Sequence, residues 1–109
     1  MTFELTNFEG ATFDGAVQFD EETLNGFAGF KQATFNGAAL LIGTRFNGGA
    51  QFSEATFNGK AQFIAAGFTK TALFGAATFN EDAQFGGTTF ASTAAFNDAT
   101  FPGTPCSPR

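Results

Sequence analysis

The chain of 109 residues contains no His, no Trp and no Tyr, a single Cys, three Pro, and only 14% charged side chains. Without His, and with one thiol at Cys106, zinc sites, Cys/His and Ser/His nucleophilic pairs and an intrachain disulfide framework are excluded. Aliphatics are scarce as well: Val17 is the one Val, Ile42 and Ile64 are the only Ile, and five Leu complete the set. No apolar run approaches the roughly 18 residues of a membrane helix. The start, Met1, Thr2, Phe3 and Glu4, lacks the basic and apolar segments of a secretory leader. A cytoplasmic protein without a membrane span is expected. The net charge of -5 favours solubility and argues against direct nucleic-acid binding through a basic surface.

What remains is heavily biased, with 18 Phe and 14 Gly. A chain this short forms one small domain, and a core made almost wholly of Phe and Ala implies one environment repeated many times. The positions of the Phe confirm a repeat. Phe46, Phe52, Phe57, Phe63, Phe68, Phe74, Phe79, Phe85, Phe90, Phe96 and Phe101 alternate steps of six and five. The same alternation run backwards meets Leu41, Phe35, Phe30, Leu24, Phe19 and Phe13, so 17 successive sites hold only Phe or Leu. Two positions before each site stands a small residue or Val, with Glu22 the single exception.

An 11-residue period also suits a right-handed helical supercoil. Gly argues against it, recurring two places after the large site in Asp14-Gly15, Asn25-Gly26, Asn36-Gly37, Asn47-Gly48 and Asn58-Gly59, where each would cost a helix about 1 kcal/mol. These glycines are expected to turn corners between very short strands, each carrying an inward small residue, an outward polar one and an inward Phe. The coil length follows from the residue just before the large site. Thr12, Thr34, Thr56, Thr78 and Thr100 recur every 22 residues, whereas Thr23, Arg45, Gly67 and Thr89 in the intervening slots show no pattern. One coil therefore has about 22 residues and four sides, and the chain makes about four and a half coils.

Units such as Ala33-Thr34-Phe35-Asn36-Gly37 and Ala55-Thr56-Phe57-Asn58-Gly59 resemble the pentapeptide-repeat family over about residues 6–103. The resemblance implies an all-β fold, a right-handed quadrilateral parallel β-helix with the Phe or Leu and the small residue inside and the other three positions outside. An extra residue on alternate sides is similar to a Phe-rich branch of that family. The solenoid is expected to span residues 1–103, with Phe3 and Phe8 matching it poorly, and a flexible Pro-rich tail to occupy 104–109.

Three surface features are candidates for function. Thr12, Thr34, Thr56, Thr78 and Thr100 form a polar ladder with Asp14, Asn36, Asn58 and Asn80, in which Thr is expected to bond its equivalents above and below. Leu40, Ile42 and Ile64 form an apolar cluster on the second side between Gln18, Gln62 and Gln84, a candidate interface through which the chain self-associates as a homodimer or meets another protein. Residues 20–30 are irregular: Glu22 occupies a slot for Ala and Phe27 an extra-residue slot, read as a bulged corner that turns Glu22 outward and lays Phe27 over it. Asp20, Glu21 and Glu22 read as a solvated corner.

Neither a catalytic constellation nor a cofactor or metal site is expected, since Glu54, Glu81 and Asp82 have no partner base and no metal-ligand spacing; a small-molecule substrate is not expected either. The leading function is a non-enzymatic structural or protein-interaction solenoid. The family resemblance implies an alternative, inhibition or protection of a type II topoisomerase by DNA mimicry. A rod of about 20 Å mimicking DNA wants roughly 12 charges, against a net of -5. The other alternative, ice binding by the Thr/Asn ladder, is limited by its few rungs.

Overall fold

The computed structural model describes residues 2–3 and 6–102, with side chains described from Asn7 onward. The tail at 104–109 and Cys106 therefore lie outside the described residues. The wall is built from strands of two residues each, all pairing in parallel within four sheets. Thr12–Phe13, Thr34–Phe35, Thr56–Phe57 and Thr78–Phe79 form the first face, and Thr100 bridges to Thr78. Val17–Gln18, Ala39–Leu40, Ala61–Gln62 and Ala83–Gln84 form the second. Thr2–Phe3, Thr23–Leu24, Arg45–Phe46, Gly67–Phe68 and Thr89–Phe90 form the third. Thr6–Asn7, Ala28–Gly29, Ala50–Gln51, Ala72–Leu73 and Ala94–Ala95 form the fourth.

Partners lie 22 residues apart, as Thr34 with Thr56 and Ala39 with Ala61. The first coil is one residue shorter, because Thr2 pairs with Thr23. Each strand is too short to be stable alone. Its backbone groups are satisfied by the coils above and below, as in Thr56 N to Ala33 O at 2.9 Å and Ala61 N to Asp82 O at 3.0 Å.

Inside, each face contributes one column of rings. Phe35 and Phe57 stack with centroids 4.8 Å apart and planes 4° from parallel, and Phe57 and Phe79 repeat this at 4.8 Å and 3°. The rings thus follow the rise set by parallel strand spacing. Rings of different columns meet edge-on, as Phe52 with Phe63 at 5.5 Å and 86°, and Phe63 with Phe74 at 5.5 Å and 90°. The interior combines parallel stacking along the axis with edge contacts across it. Phe30, Phe35, Phe46, Phe52, Phe57, Phe63, Phe68, Phe74 and Phe79, with Leu24 and Leu41, are fully buried, whereas Phe13, Phe19, Phe85, Phe90, Phe96 and Phe101 in the outer coils are partly buried.

Two sequence expectations are corrected at the N-terminal end. Phe8 belongs to the fourth-face column, stacked on Phe30 at 5.5 Å, and Phe3 pairs in register with Leu24. Phe8 lies one five-residue step before Phe13, so the alternation already contained it.

The corners are of two alternating kinds, and the glycines do not serve them as expected. After the second and fourth faces the chain makes a tight turn closed by a bond from the third residue after the large site, for example Ala33 N to Phe30 O and Ala66 N to Phe63 O. Its third position is left-handed, the type II pattern. That position is occupied by Gly10, Gly43 and Gly87, but also by Glu21, Gln32, Glu54, Ala65, Ala76 and Asp98 with φ between 57° and 63°. The Gly of the Asn-Gly pairs lies at the other corners, and at Gly37, Gly48 and Gly59 a side chain has no room: a Cβ on Gly48 would lie 2.4 Å from Gly26 C, and one on Gly59 2.6 Å from Gly37 C. These glycines are required by contact between coils rather than by backbone hand.

Candidate functional site

The outward polar ladder of the first face is continuous, but the bonds along it run through the amides. Asn80 Nδ2 donates to Asn58 Oδ1 at 2.7 Å, Asn58 Nδ2 to Asn36 Oδ1 at 2.8 Å, and Asn36 Nδ2 to Asp14 Oδ1 at 3.1 Å. All three amide-to-acceptor steps point toward the N-terminal coil, with the Asp14 carboxylate as final acceptor. Thr12, Thr34, Thr56, Thr78 and Thr100 lie in register beside this column, yet among the described residues no hydroxyl bond joins one to the next. The amide reaches its equivalent about 4.8 Å away, a span the shorter Thr side chain does not bridge. A second amide column, of a single step, lies on the next-but-one face and joins Asn47 Nδ2 to Asn25 Oδ1 at 2.9 Å.

Leu40, Ile42 and Ile64 are brought together as the spacing requires. Leu40 pairs between Gln18 and Gln62, and Ile42 and Ile64 are stacked at the corner that follows, where Gly43 N donates to Ile64 O at 2.9 Å. All three are half-buried rather than fully exposed. Asp20 in the coil below accepts from Ile42 N at 3.0 Å and from Gln18 Nε2 at 3.2 Å, so this acid helps to fix the corner.

The irregular segment differs from its expected form. Phe27 is 45% exposed, the one large apolar side chain so exposed among the described residues. Its ring covers the fourth face, close enough to Gly29 and Gly49 that a Cβ at either would meet it at 3.0 Å and 3.2 Å. The two glycines make the bed on which the ring lies, and Glu22, on another column, is not turned outward as expected but is half-buried with its Oε1 enclosed. The inward slot held by Glu22 is polar in two later coils as well. Thr44, fully buried, donates from Oγ1 to Phe19 O at 2.6 Å, and Thr88 donates to Phe63 O at 2.6 Å. A hydroxyl is accepted in this column because a carbonyl lies ready to receive it.

Comparison with family models, with curated proteins and with solved structures brings no match to any of them. The repeat β-solenoid therefore rests on the chain's own periodicity and pairing.

One recess was not anticipated. On the third face a notch of about 550 Å³ is lined by Glu21, Gly43, Arg45, Gly67, Thr69 and Thr89, among others. Gly67 explains it, since the outward column Thr23, Arg45, Gly67, Thr89 loses one side chain at mid-height. The signal was visible as a Gly in an otherwise occupied outward slot. Thr69 on its rim is already engaged, donating to Phe46 O at 3.1 Å. Of the acids considered for catalysis, Glu54 accepts from Gln32 Nε2 at 2.7 Å in a neighbouring coil, while Glu81 and Asp82 are exposed. Among the described residues no three acids, Cys or His gather into a metal-binding group, and no helix is long and apolar enough to cross a membrane.

Proposed function

We propose that the chain is a non-enzymatic structural or protein-interaction solenoid of the pentapeptide-repeat type, cytoplasmic, whose first partner is a second copy of itself. The observation that carries this reading is the contiguity of Leu40, Ile42 and Ile64 on successive coils, apolar where the neighbouring outward slots are Gln18, Gln62 and Gln84. Covering their remaining apolar area gains about 25 cal/mol per Å², offset in part by the loss of rotational and translational freedom on association. The repeated stacking supports the reading from the other side, because a wall of very short strands around packed rings offers flat, ordered surfaces. The acids are spread over the first face at Asp14 and over two corner columns at Asp20, Glu21, Glu54 and Asp98, an arrangement that gives little support to a DNA-like charge track.

Light scattering over a concentration series is the test. The wild-type chain is expected to be dimeric, and the double substitution Ile42→Lys with Ile64→Lys to be monomeric. Phe27→Ser, on a different face, is expected to leave the dimer intact. A wild-type monomer at high concentration, or a dimer that survives the double Lys change, overturns the assignment. A topoisomerase supercoiling assay and a thermal-hysteresis measurement on the same sample are expected to be negative. Activity in either would replace this function with the corresponding alternative.

A further inference from the structure

Four Asn-Gly pairs lie on the outer wall: Asn25-Gly26, Asn36-Gly37, Asn47-Gly48 and Asn58-Gly59. The Gly is imposed by the fold at three of them. A Cβ on Gly37 would lie 2.7 Å from Gly15 C, with the still closer approaches already described for Gly48 and Gly59. The Asn is favoured by the amide steps between coils. Packing has thus assembled a pair with a chemistry of its own. The peptide nitrogen of a residue after Asn can attack the Asn Cγ, and a following Gly, lacking a side chain, hinders that attack least. All four Asn side chains are exposed, and among the described residues none of the four Gly N–H groups donates to a protein acceptor.

We infer that Asn25 and Asn47, at the corner after the third face, are self-modifying sites that convert to aspartyl and isoaspartyl residues, while Asn36 and Asn58 on the first face are protected. The Gly26 or Gly48 nitrogen, after losing its proton to solvent base, forms a bond to Cγ. The Cγ–Nδ2 bond breaks and ammonia leaves, giving a five-membered succinimide. Water then adds to one of its two carbonyl carbons and opens the ring, leaving Asp or isoaspartate. No oxidant or reductant enters, and the sum is Asn plus water giving the acid plus ammonia.

The selection comes from the hydrogen bonds that hold each amide. Asn36 is held twice, donating to Asp14 and accepting from Asn58, and Asn58 twice, donating to Asn36 and accepting from Asn80. Asn25 and Asn47 share a single bond, from Asn47 Nδ2 to Asn25 Oδ1. The Nδ2 of Asn25, the leaving nitrogen there, has no acceptor among the described residues. Rotating Cγ toward the Gly nitrogen breaks one bond at the first pair of sites and two at the second. One additional bond of ordinary strength corresponds to about a fivefold slower conversion. Each conversion adds one negative charge to the corner beside the Arg45 column.

The test is peptide mapping by mass spectrometry of the full chain held at mildly alkaline pH, folded and in denaturant. Folded, Asn25 and Asn47 are expected to convert about fivefold or more faster than Asn36 and Asn58; in denaturant the four rates are expected to converge. Equal rates in the folded chain, or the same ranking in denaturant, overturns the inference, the second because local sequence would then set the order. Asp14→Ala removes the acceptor from Asn36 at an exposed position. It is expected to raise the Asn36 rate toward that of Asn47 and leave Asn25 unchanged. An unaltered Asn36 rate in that variant removes the amide column as the protecting device.

Discussion

Phe57 has a ring partner on every side: Phe35 and Phe79 above and below at 4.8 Å, Phe52 at 6.0 Å and Phe63 at 6.1 Å beside it. Truncation to Ala would leave a cavity bounded by rings that are tied to their own coils and cannot collapse into it, so Phe57→Ala is expected to destabilise by about 3–5 kcal/mol. Phe101 has Phe79 at 4.9 Å and Phe96 at 6.4 Å, and is only partly buried. Phe101→Ala is expected to cost clearly less. Chemical denaturation of the two variants side by side checks this, and a larger loss at Phe101 contradicts the placement of the core. The site itself was readable from spacing alone, because a column residue repeats its environment every coil. The partner of Thr44 was not, since Phe19 O lies 25 residues away and only folding brings it within 2.6 Å.

The elements of this protein are its corners as much as its strands, and the two kinds respond to substitution in opposite directions. At Gly37, Gly48 and Gly59, on the wide corners, the coil-to-coil gap leaves no space for a methyl group. Gly48→Ala places a Cβ 2.4 Å from Gly26 C and O, against backbone that cannot move aside cheaply, and is expected to destabilise by at least about 1–3 kcal/mol. At the tight corners the strain is in the backbone. Ala65 has φ of 60°, a conformation costing an L residue about 1–2 kcal/mol that Gly does not pay, offset by the greater freedom Gly loses on folding. Ala65→Gly is expected to be neutral to stabilising by up to about 1 kcal/mol and to raise the melting temperature accordingly. Thermal melts of both variants decide the matter. If Gly48→Ala is harmless and Ala65→Gly costly, the two corner types have been exchanged. Sequence reasoning expected the Asn-Gly glycines to lie where the chain turns; they do lie at bends, but Gly37, Gly48 and Gly59 also make close contact between coils, which spacing did not reveal. The left-handed residue recurs every 11 positions whatever its identity, from Gly10 through Asp98, so composition carried no sign of it.

At the scale of the whole molecule each coil touches only its neighbours, and stability is a sum of coil terms and interface terms. Amide exchange is therefore expected to be slowest around Phe52, Phe57 and Phe63, fully buried on both sides, and progressively faster toward Phe13 and Phe96, whose coils are partly open. Hydrogen exchange read by mass spectrometry or nuclear magnetic resonance tests this. A flat profile would mean that the domain opens as one unit and that the coils are not the cooperative element.

The amino-acid order alone determined the period, the four-sided coil, the inward Phe, Leu and small residues, and the outward rank of Thr and Asn. Each of these follows from an environment repeated often enough that one residue type recurs in one slot. Tertiary structure alone decided which outward column bonds along the axis, where the ring of Phe27 lies, why Asn-Gly is confined to one kind of corner, and that Gly67 opens a notch. All four depend on the distance between atoms one coil apart, set by the rise between parallel strands. That distance is long enough for an Asn amide to bridge and too short, where Gly48 faces the Gly26 backbone, to admit a Cβ.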